Sequence, residues 1–187
     1  LQGDVGSGKT IVAFIGIIAA VEAGGQGAIM APTEILARQH FETLSPLAMK
    51  VGVSLNLLTG RDKGTARNKK LIDLKEGKTN IIIGTHALFQ ADVVFKDLRL
   101  AVVDEQHRFG VRQRLELGKK GSVVDLLLMT ATPIPRSLAL AHYGDMDFSI
   151  IKQKPPGRKP INTALISSSR IDEVVDKLKN SLAKGAQ

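Results

Sequence analysis

Short runs of apolar and β-branched residues recur along the chain at 28–30, 54–59, 80–83, 100–103 and 126–130. Around Ile81, Val102 and Leu127 both odd and even positions are apolar, the pattern of a strand covered on both faces. Residues 34–50, 66–76 and 134–143 alternate with these runs and read as helices. That alternation predicts an α/β fold, a mainly parallel sheet between two helical layers. The longest apolar stretch, 11–21, falls short of the roughly 20 residues that cross a bilayer, and no cleavable signal precedes it. A cytoplasmic protein without a membrane partner is therefore expected.

Ligands of such sheets collect beyond the carboxyl ends of the strands. The first candidate is Gly3-Asp4-Val5-Gly6-Ser7-Gly8-Lys9-Thr10, which satisfies the phosphate-loop spacing of two glycines followed by Lys and Thr. Glycines let backbone N–H groups wrap a β-phosphate, Lys9 would reach the β and γ phosphates, and Thr10 would place its hydroxyl on Mg²⁺. The helix opening at Ile11 would aim its N-terminus at the anion. The second candidate is Asp104-Glu105 after the run 100–103. An Asp there can hold Mg²⁺ opposite Thr10, and a Glu one residue on can polarise the attacking water. Thr130 closes the last apolar run and Thr132 follows it; a hydroxyl pair after a buried strand reads as a turn cap.

Composition narrows the partners. Among 187 residues, 26 Lys and Arg outnumber 18 Asp and Glu, a formal charge of +8 that favours polyanions. Cysteine is absent, so disulfides and thiolate metal sites are excluded. The four histidines have no close-spaced pairing, which argues against a histidine metal cluster; His107, beside the acidic pair, is placed to bond toward a γ-phosphate or the next strand, and by itself would read as a surface histidine. Pro32-Thr33-Glu34, Thr59-Gly60-Arg61 and Gly84-Thr85-His86 each follow a predicted strand, where amides, hydroxyls and helix N-termini can touch nucleic-acid phosphates; Pro32-Thr33 could equally be only a helix start, and Gly60 only a turn. Lys69, Lys70, Lys119 and Lys120 read as solvated faces. Aromatic residues are 4 % and Trp is absent, which disfavours a base-stacking platform.

Near the end, 154–160 is rigid, basic and poor in apolar residues, as a linker is. Beyond it 162–166 reads as a strand, Ser169 as a helix cap, and Ile171, Val174, Val175, Leu178 and Leu182 share one helical face. The chain lacks an initiator Met and most of the strand expected before the phosphate loop, so a piece of a longer protein is expected.

With the phosphate loop, Asp104-Glu105-Gln106-His107 and Thr130-Ala131-Thr132-Pro133 in that order, the chain resembles the first RecA-like motor domain of superfamily 2 helicases. Ala31-Pro32-Thr33-Glu34-Ile35-Leu36, Gly84-Thr85-His86, Asp104 to Val111 and Met129 to Arg136 look like the RecG-type branched-DNA helicases. The Mfd transcription-repair coupling factors share much of this set, but Gln106, Thr33-Glu34-Ile35-Leu36 and Pro155-Pro156-Gly157-Arg158-Lys159-Pro160 favour RecG, while Arg112 departs from it.

The resemblance implies a three-layer P-loop NTPase (RecA-like) domain over 1–152, a linker at 153–160 and the start of a second RecA-like domain at 161–187. It implies ATP and Mg²⁺ as cofactors, bound by Gly6, Gly8, Lys9 and Thr10 with Asp104, Glu105 as general base, and Gln106 and His107 coupling nucleotide to the interdomain cleft. Thr130 and Thr132 would link hydrolysis to DNA movement through bonds back to the acidic motif, and Pro32, Thr33, Gly60, Thr85 and His86 would line one DNA strand. The implied protein is an ATP-driven translocase on forks and junctions, expected as a monomer, with a second motor lobe and an N-terminal wedge domain outside this chain. The second lobe's arginines are worth about 10³ to 10⁵ in rate, so the isolated chain is expected to be nearly inactive. The Mfd motor and a nucleotide-dependent switch that does not translocate are the alternatives.

Overall fold

The computed structural model describes residues 1–104, 120–121, 123–132, 147–153 and 163–185. In chain order its elements are β1 (Gln2–Gly3), α1 (Lys9–Glu22), β2 (Gln26–Met30), α2 (Glu34–Lys50), β3 (Leu55–Leu58), α3 (Gly64–Lys75), β4 (Ile81–Gly84), β5 (Leu98–Val103), β6 (Asp125–Leu128), β7 (Ile150–Ile151) and α4 (Ile171–Ala183). The chain divides into two compact units, Leu1–Pro155 and Pro156–Gln187.

In the first unit, the period of two along each strand sends successive side chains to opposite faces, and both faces are apolar. Ala28 and Met30 of β2 pack with Ile82, Ala101, Val103 and with Leu74 of α3. Ile29 packs on the other side with Ile81, Ile83 and Val102, beneath Phe14 and Ile17 of α1 and Leu44 of α2. The result is three layers, with α1 and α2 on one face and α3 on the other. Burial is complete along β2 and β4 and in the last three residues of β5. It is incomplete in β6, where Asp125 and Leu126 are exposed and only Leu128 is buried, so the two-faced burial expected around Leu127 holds only at the strand's carboxyl end.

The strands are parallel and ordered β3-β4-β2-β5-β6. β1 and β7 pair in parallel as a separate two-stranded ladder. A bridge from Gln2 to Thr130 joins that ladder to the chain leaving β6: Thr130 N–H donates to the Leu1 carbonyl (3.2 Å), and Gly3 N–H donates to the Thr130 carbonyl (3.3 Å). The carboxyl ends of all these strands therefore face the same way, which is the condition for a shared site.

One polar residue is buried at the start of β2. Gln26 is 3 % exposed; its amide N–H₂ donates to the carbonyls of Leu74 (2.8 Å) and Thr79 (2.7 Å), and its Oε1 accepts from the N–H groups of Lys96 (2.8 Å) and Asp97 (3.0 Å). The side chain thus spends its whole donor and acceptor capacity on three chain segments. Replacing it with Leu keeps the volume but strands those backbone groups, each costing about 1–3 kcal/mol when unpaired. We expect Gln26→Leu to lower the unfolding free energy by about 3 kcal/mol, seen as a lower urea midpoint at unchanged slope.

In the second unit, residues 163–166 form no strand, contrary to expectation: a strand needs a neighbour to pair with, and the other described residues of that unit are helical or turn-like. The cap is also displaced. Ser167, not Ser169, accepts an N–H with its hydroxyl, from Ser169 at 3.4 Å, and caps a 3₁₀ turn at Ser168–Arg170 that leads into α4. Ile171, Val174, Val175, Leu178 and Leu182 lie on α4 as predicted and are all exposed. The expected helix at 134–143, the linker from 154 to 160 and Asn162 lie outside the described residues.

Candidate nucleotide site

The loop between β1 and α1 is built on glycine conformations. Gly6 (φ 76°) and Gly8 (φ 94°) occupy the left-handed region, which a Cβ disfavours; Gly8 is the residue from which α1 starts. At Gly3 the constraint is space, since an added Cβ would sit 2.5 Å from Ser7 Oγ and 3.2 Å from Ile151 Cβ. Asp4 organises the turn: its Oδ1 accepts from Val5 N–H (2.8 Å) and its carbonyl accepts from Ser7 N–H (3.1 Å).

Two features of this loop have the chemistry of an anion cradle. Lys9 Nζ donates to the carbonyls of Gly3 (2.9 Å) and Asp4 (3.0 Å), so its ammonium is folded over the loop it follows. Ser7 Oγ is buried with no hydrogen-bond partner, a costly state for a hydroxyl that a bound oxygen would relieve. Thr10 stands in the first turn of α1, whose leading N–H groups have no intrahelical acceptor. Beside the loop, Gln2, Gly3, Asp4, Ala131, Ile150 and Ile151 line an open cleft of about 310 Å³.

Asp104 lies at the carboxyl end of β5. Its N–H donates to the Met30 carbonyl (2.9 Å), which extends the β2–β5 ladder by one bond and fixes its backbone. The order β5-β6-β1 places a single strand between Asp104 and the phosphate loop, so the two strands are about 10 Å apart at ordinary strand spacing. The intervening strand leads into Thr130 and Thr132. Their hydroxyls bond one another at 2.9 Å, Thr132 N–H donates to Thr130 Oγ1 (3.2 Å), and Gln2 Nε2 donates to the Thr132 carbonyl (3.3 Å). This segment is therefore a hydroxyl-closed turn tied to the strand that feeds the phosphate loop. Glu105, Gln106 and His107 lie outside the described residues.

A second edge runs over the ends of β2, β3 and β4. Thr33 caps α2, its Oγ1 accepting from Leu36 N–H (3.3 Å), so the helix-start reading describes its local role. Glu34 holds two arginines, Arg38 at 2.9 Å and Arg61 at 3.2 Å, and so ties the start of α2 to the loop after β3. In that loop Asp62 accepts from Thr59 N–H (2.7 Å) and pairs with Lys70 (2.5 Å). Burial alone would raise the Asp62 pKa, but the Lys70 ammonium and the Thr59 N–H and hydroxyl outweigh it and hold the carboxyl below its ordinary range. Lys70 also donates to the Leu57 carbonyl (2.6 Å), and Lys120 donates to the carbonyls of Gln90 (2.9 Å) and Val93 (2.7 Å). These two lysines are loop braces, not the solvated face expected of them, because a four-carbon stem carries the ammonium to carbonyls remote in sequence. Lys69 is exposed as expected. Gly60 is exposed, with neither a positive φ nor an atom within 4 Å of a built Cβ. Thr85 is buried, and His86, exposed, opens a 3₁₀ turn.

The residue that sequence reading passed over is His40. Its Nε2 is 2.8 Å from Asp104 Oδ2, and both side chains are nearly excluded from solvent. A signal was present: His40 interrupts the apolar stripe Ala37, Leu44 and Ala48 of α2, and a polar residue on a buried face needs a partner.

Comparison with known proteins bears on the fold and the family. The DEAD/DEAH box helicase family model matches residues 1–140. All of this chain aligns with RecG ATP-dependent DNA helicases: at 48 % identity with that of Thermotoga maritima, 53 % with that of Staphylococcus epidermidis and 50 % with that of Bacillus subtilis. The chain spans about a quarter of those relatives, 24 %, 27 % and 27 % of their lengths. Among solved structures, RecG bound to a three-way DNA junction superposes with a TM-score of 0.85 at 45 % identity, over 99 % of this chain and 25 % of that one. The Hef helicase domain of Pyrococcus furiosus, at 21 % identity and a TM-score of 0.57 over 82 % of this chain and 34 % of that one, shares the fold. The chain belongs to the DEAD/DEAH box helicase family, and along its whole length it matches the RecG ATP-dependent DNA helicases.

Proposed function

We propose that this chain is the first motor lobe of an ATP-driven DNA translocase, acting in the cytoplasm on branched DNA such as forks and junctions. The observation that carries the proposal is the shared edge: the phosphate loop, the Thr130–Thr132 turn and Asp104 succeed one another on neighbouring parallel strands. The chemistry of the loop fits a nucleotide. Ser7 supplies a buried hydroxyl without a partner, and Lys9 can exchange the carbonyls of Gly3 and Asp4 for phosphate oxygens. Among the described residues no group of three or more acidic, His or Cys side chains could hold a metal alone. That suits Mg²⁺, which takes one or two protein ligands with nucleotide phosphates and water; here they would be Thr10 and Asp104.

When bound, magnesium neutralises charge on the phosphates. Lys9 and the amides of the loop would hold the phosphates in place, and Glu105 would take the proton of the attacking water. The Thr130–Thr132 turn is bonded to the strand before the loop, so a change at the γ-phosphate can reach it through Gln2. Pro32, Thr33, Gly60 and His86 are proposed to face DNA phosphates, and Thr85, which is buried, to support that edge from beneath. Gly60 is exposed and its surroundings are open, so another backbone can approach it closely. Binding of RecG to a three-way DNA junction supports branched DNA as the substrate. The second motor lobe and a wedge domain would come from the rest of the protein, working as a monomer.

The test is ATP turnover by the complete protein with and without forked DNA across a salt series. We expect stimulation by DNA that weakens as salt rises, because phosphate contacts dominate. Turnover indifferent to DNA would favour a nucleotide switch instead.

A further inference from the structure

We infer that His40 is a positioning residue that holds Asp104 ready for magnesium and transmits DNA contact to it through α2. The inference rests on the proposed magnesium role of Asp104. The two ends of the linkage are in the structure. At one end, α2 begins at the proposed DNA edge, where Thr33 caps it and Glu34 grips Arg61. At the other, seven residues and about 10 Å further along the helix, the His40 ring meets Asp104 Oδ2 at 2.8 Å. A carboxylate only accepts, so Nε2–H is the donor.

Between these ends α2 is a rigid body pressed on the sheet by Ala37, Leu44 and Ala48, each at most 1 % exposed. The Asp104 backbone is pinned independently, by its N–H to Met30, so the bond to His40 acts on the side chain and not on the chain trace. A packed helix moves as a unit, and a shift of its first turn against DNA must pass into the ring that orients the carboxylate. Partners that orient a metal-holding group in this way are worth about 10- to 100-fold in metal affinity or activity.

The test compares His40→Met and His40→Gln in the complete protein. Both replacements are unbranched helix formers that fill similar volume, and only Gln can donate to Asp104. The readout is fluorescent-nucleotide binding under magnesium titration, without turnover, with and without forked DNA; thermal melting and DNA affinity without nucleotide are the controls. For the wild type we expect DNA to lower the magnesium half-saturation. We expect His40→Met to raise that half-saturation about tenfold and to abolish the DNA response, with DNA affinity unchanged and melting still well above the assay temperature, and His40→Gln to restore most of each. The inference is overturned if His40→Met keeps the wild-type magnesium requirement or DNA response, or if the wild type ignores DNA. Asp104→Asn separates the two layers: if it shifts the magnesium requirement and His40→Met does not, only the inference fails; if neither does, the magnesium role of Asp104 fails with it.

Discussion

Lys9→Ala lowers DNA-stimulated ATP turnover of the complete protein by about 10²- to 10³-fold, the loss typical when one fixed donor to developing charge is removed. Lys9 is the first residue of α1. Its ammonium donates to two carbonyls of the loop preceding it, so the side chain is already folded back over that loop. Exchanging neutral carbonyls for anionic phosphate oxygens turns ion–dipole hydrogen bonds into bonds between opposite full charges, which strengthens them further. That gain grows as charge develops on the transferring group, so the effect falls on turnover more than on binding. DNA affinity without nucleotide is expected to be unchanged, since Lys9 opens α1 after the loop that follows β1, whereas the proposed DNA edge lies on β2, β3 and β4. Lys9→Arg restores little: the pocket between the Gly3 and Asp4 carbonyls holds a compact ammonium, and a planar guanidinium cannot present its charge in the same place. Steady-state turnover and nucleotide titration on the three proteins decide the point. Wild-type turnover in Lys9→Ala would mean that this loop is not where the phosphoryl group is transferred.

How much of this was legible in the residue pattern depended on whether the cause was local. Helix α2 runs from Glu34 to Lys50, the bounds its pattern predicts, because its signals are local: Thr33 as cap, and a stripe of buried residues at helical spacing. The buried strands β2, β4 and β5 were found for a similar reason, as apolar runs. β1 was expected only as the stub of a strand before the phosphate loop and β7 not at all, because two residues each are too few to carry a period; they pair where Gln2 and Gly3 meet Ile150 and Ile151 across the whole unit. His40 belongs to the same class. Its oddity in an apolar stripe is local, but the partner that explains it is 64 positions away and comes near only when β5 is laid beside β2. Lys70 and Lys120 were misjudged because the sequence shows their charge and not the carbonyls within their reach. The fold and the phosphate loop thus follow from neighbouring residues, and the link between the two edges follows from strand order.

Two glycines on the proposed DNA edge should separate packing from binding. Gly84 ends β4, between Leu58 of β3 and Met30 of β2. A Cβ there would lie 2.4 Å from the Leu58 carbonyl oxygen and 2.9 Å from Leu88 Cγ. A backbone oxygen inside a ladder cannot swing away, and Leu88 is fully buried, so the strand end itself must move. Overpacking of this kind costs about 1–3 kcal/mol and occasionally more; with backbone as the obstacle we expect Gly84→Ala to sit at or above the top of that range. Against a total stability of roughly 5–15 kcal/mol, that removes much of the margin, and Gly84→Val should leave little folded protein at 37 °C. Gly60 is the counterpart. Its φ lies outside the positive region and its surroundings are open, so Gly60→Ala should be neutral or slightly stabilising, by restricting the unfolded chain. If a DNA backbone approaches the turn at Thr59–Arg61, the same methyl group stands in its way. The expected pair of results is therefore crossed: Gly84→Ala lowers the urea midpoint, whereas Gly60→Ala leaves it intact and weakens DNA binding, measured by anisotropy of a labelled fork. Unaltered DNA affinity in Gly60→Ala would remove that turn from the DNA track, because no loss of folding would be available to mask the answer.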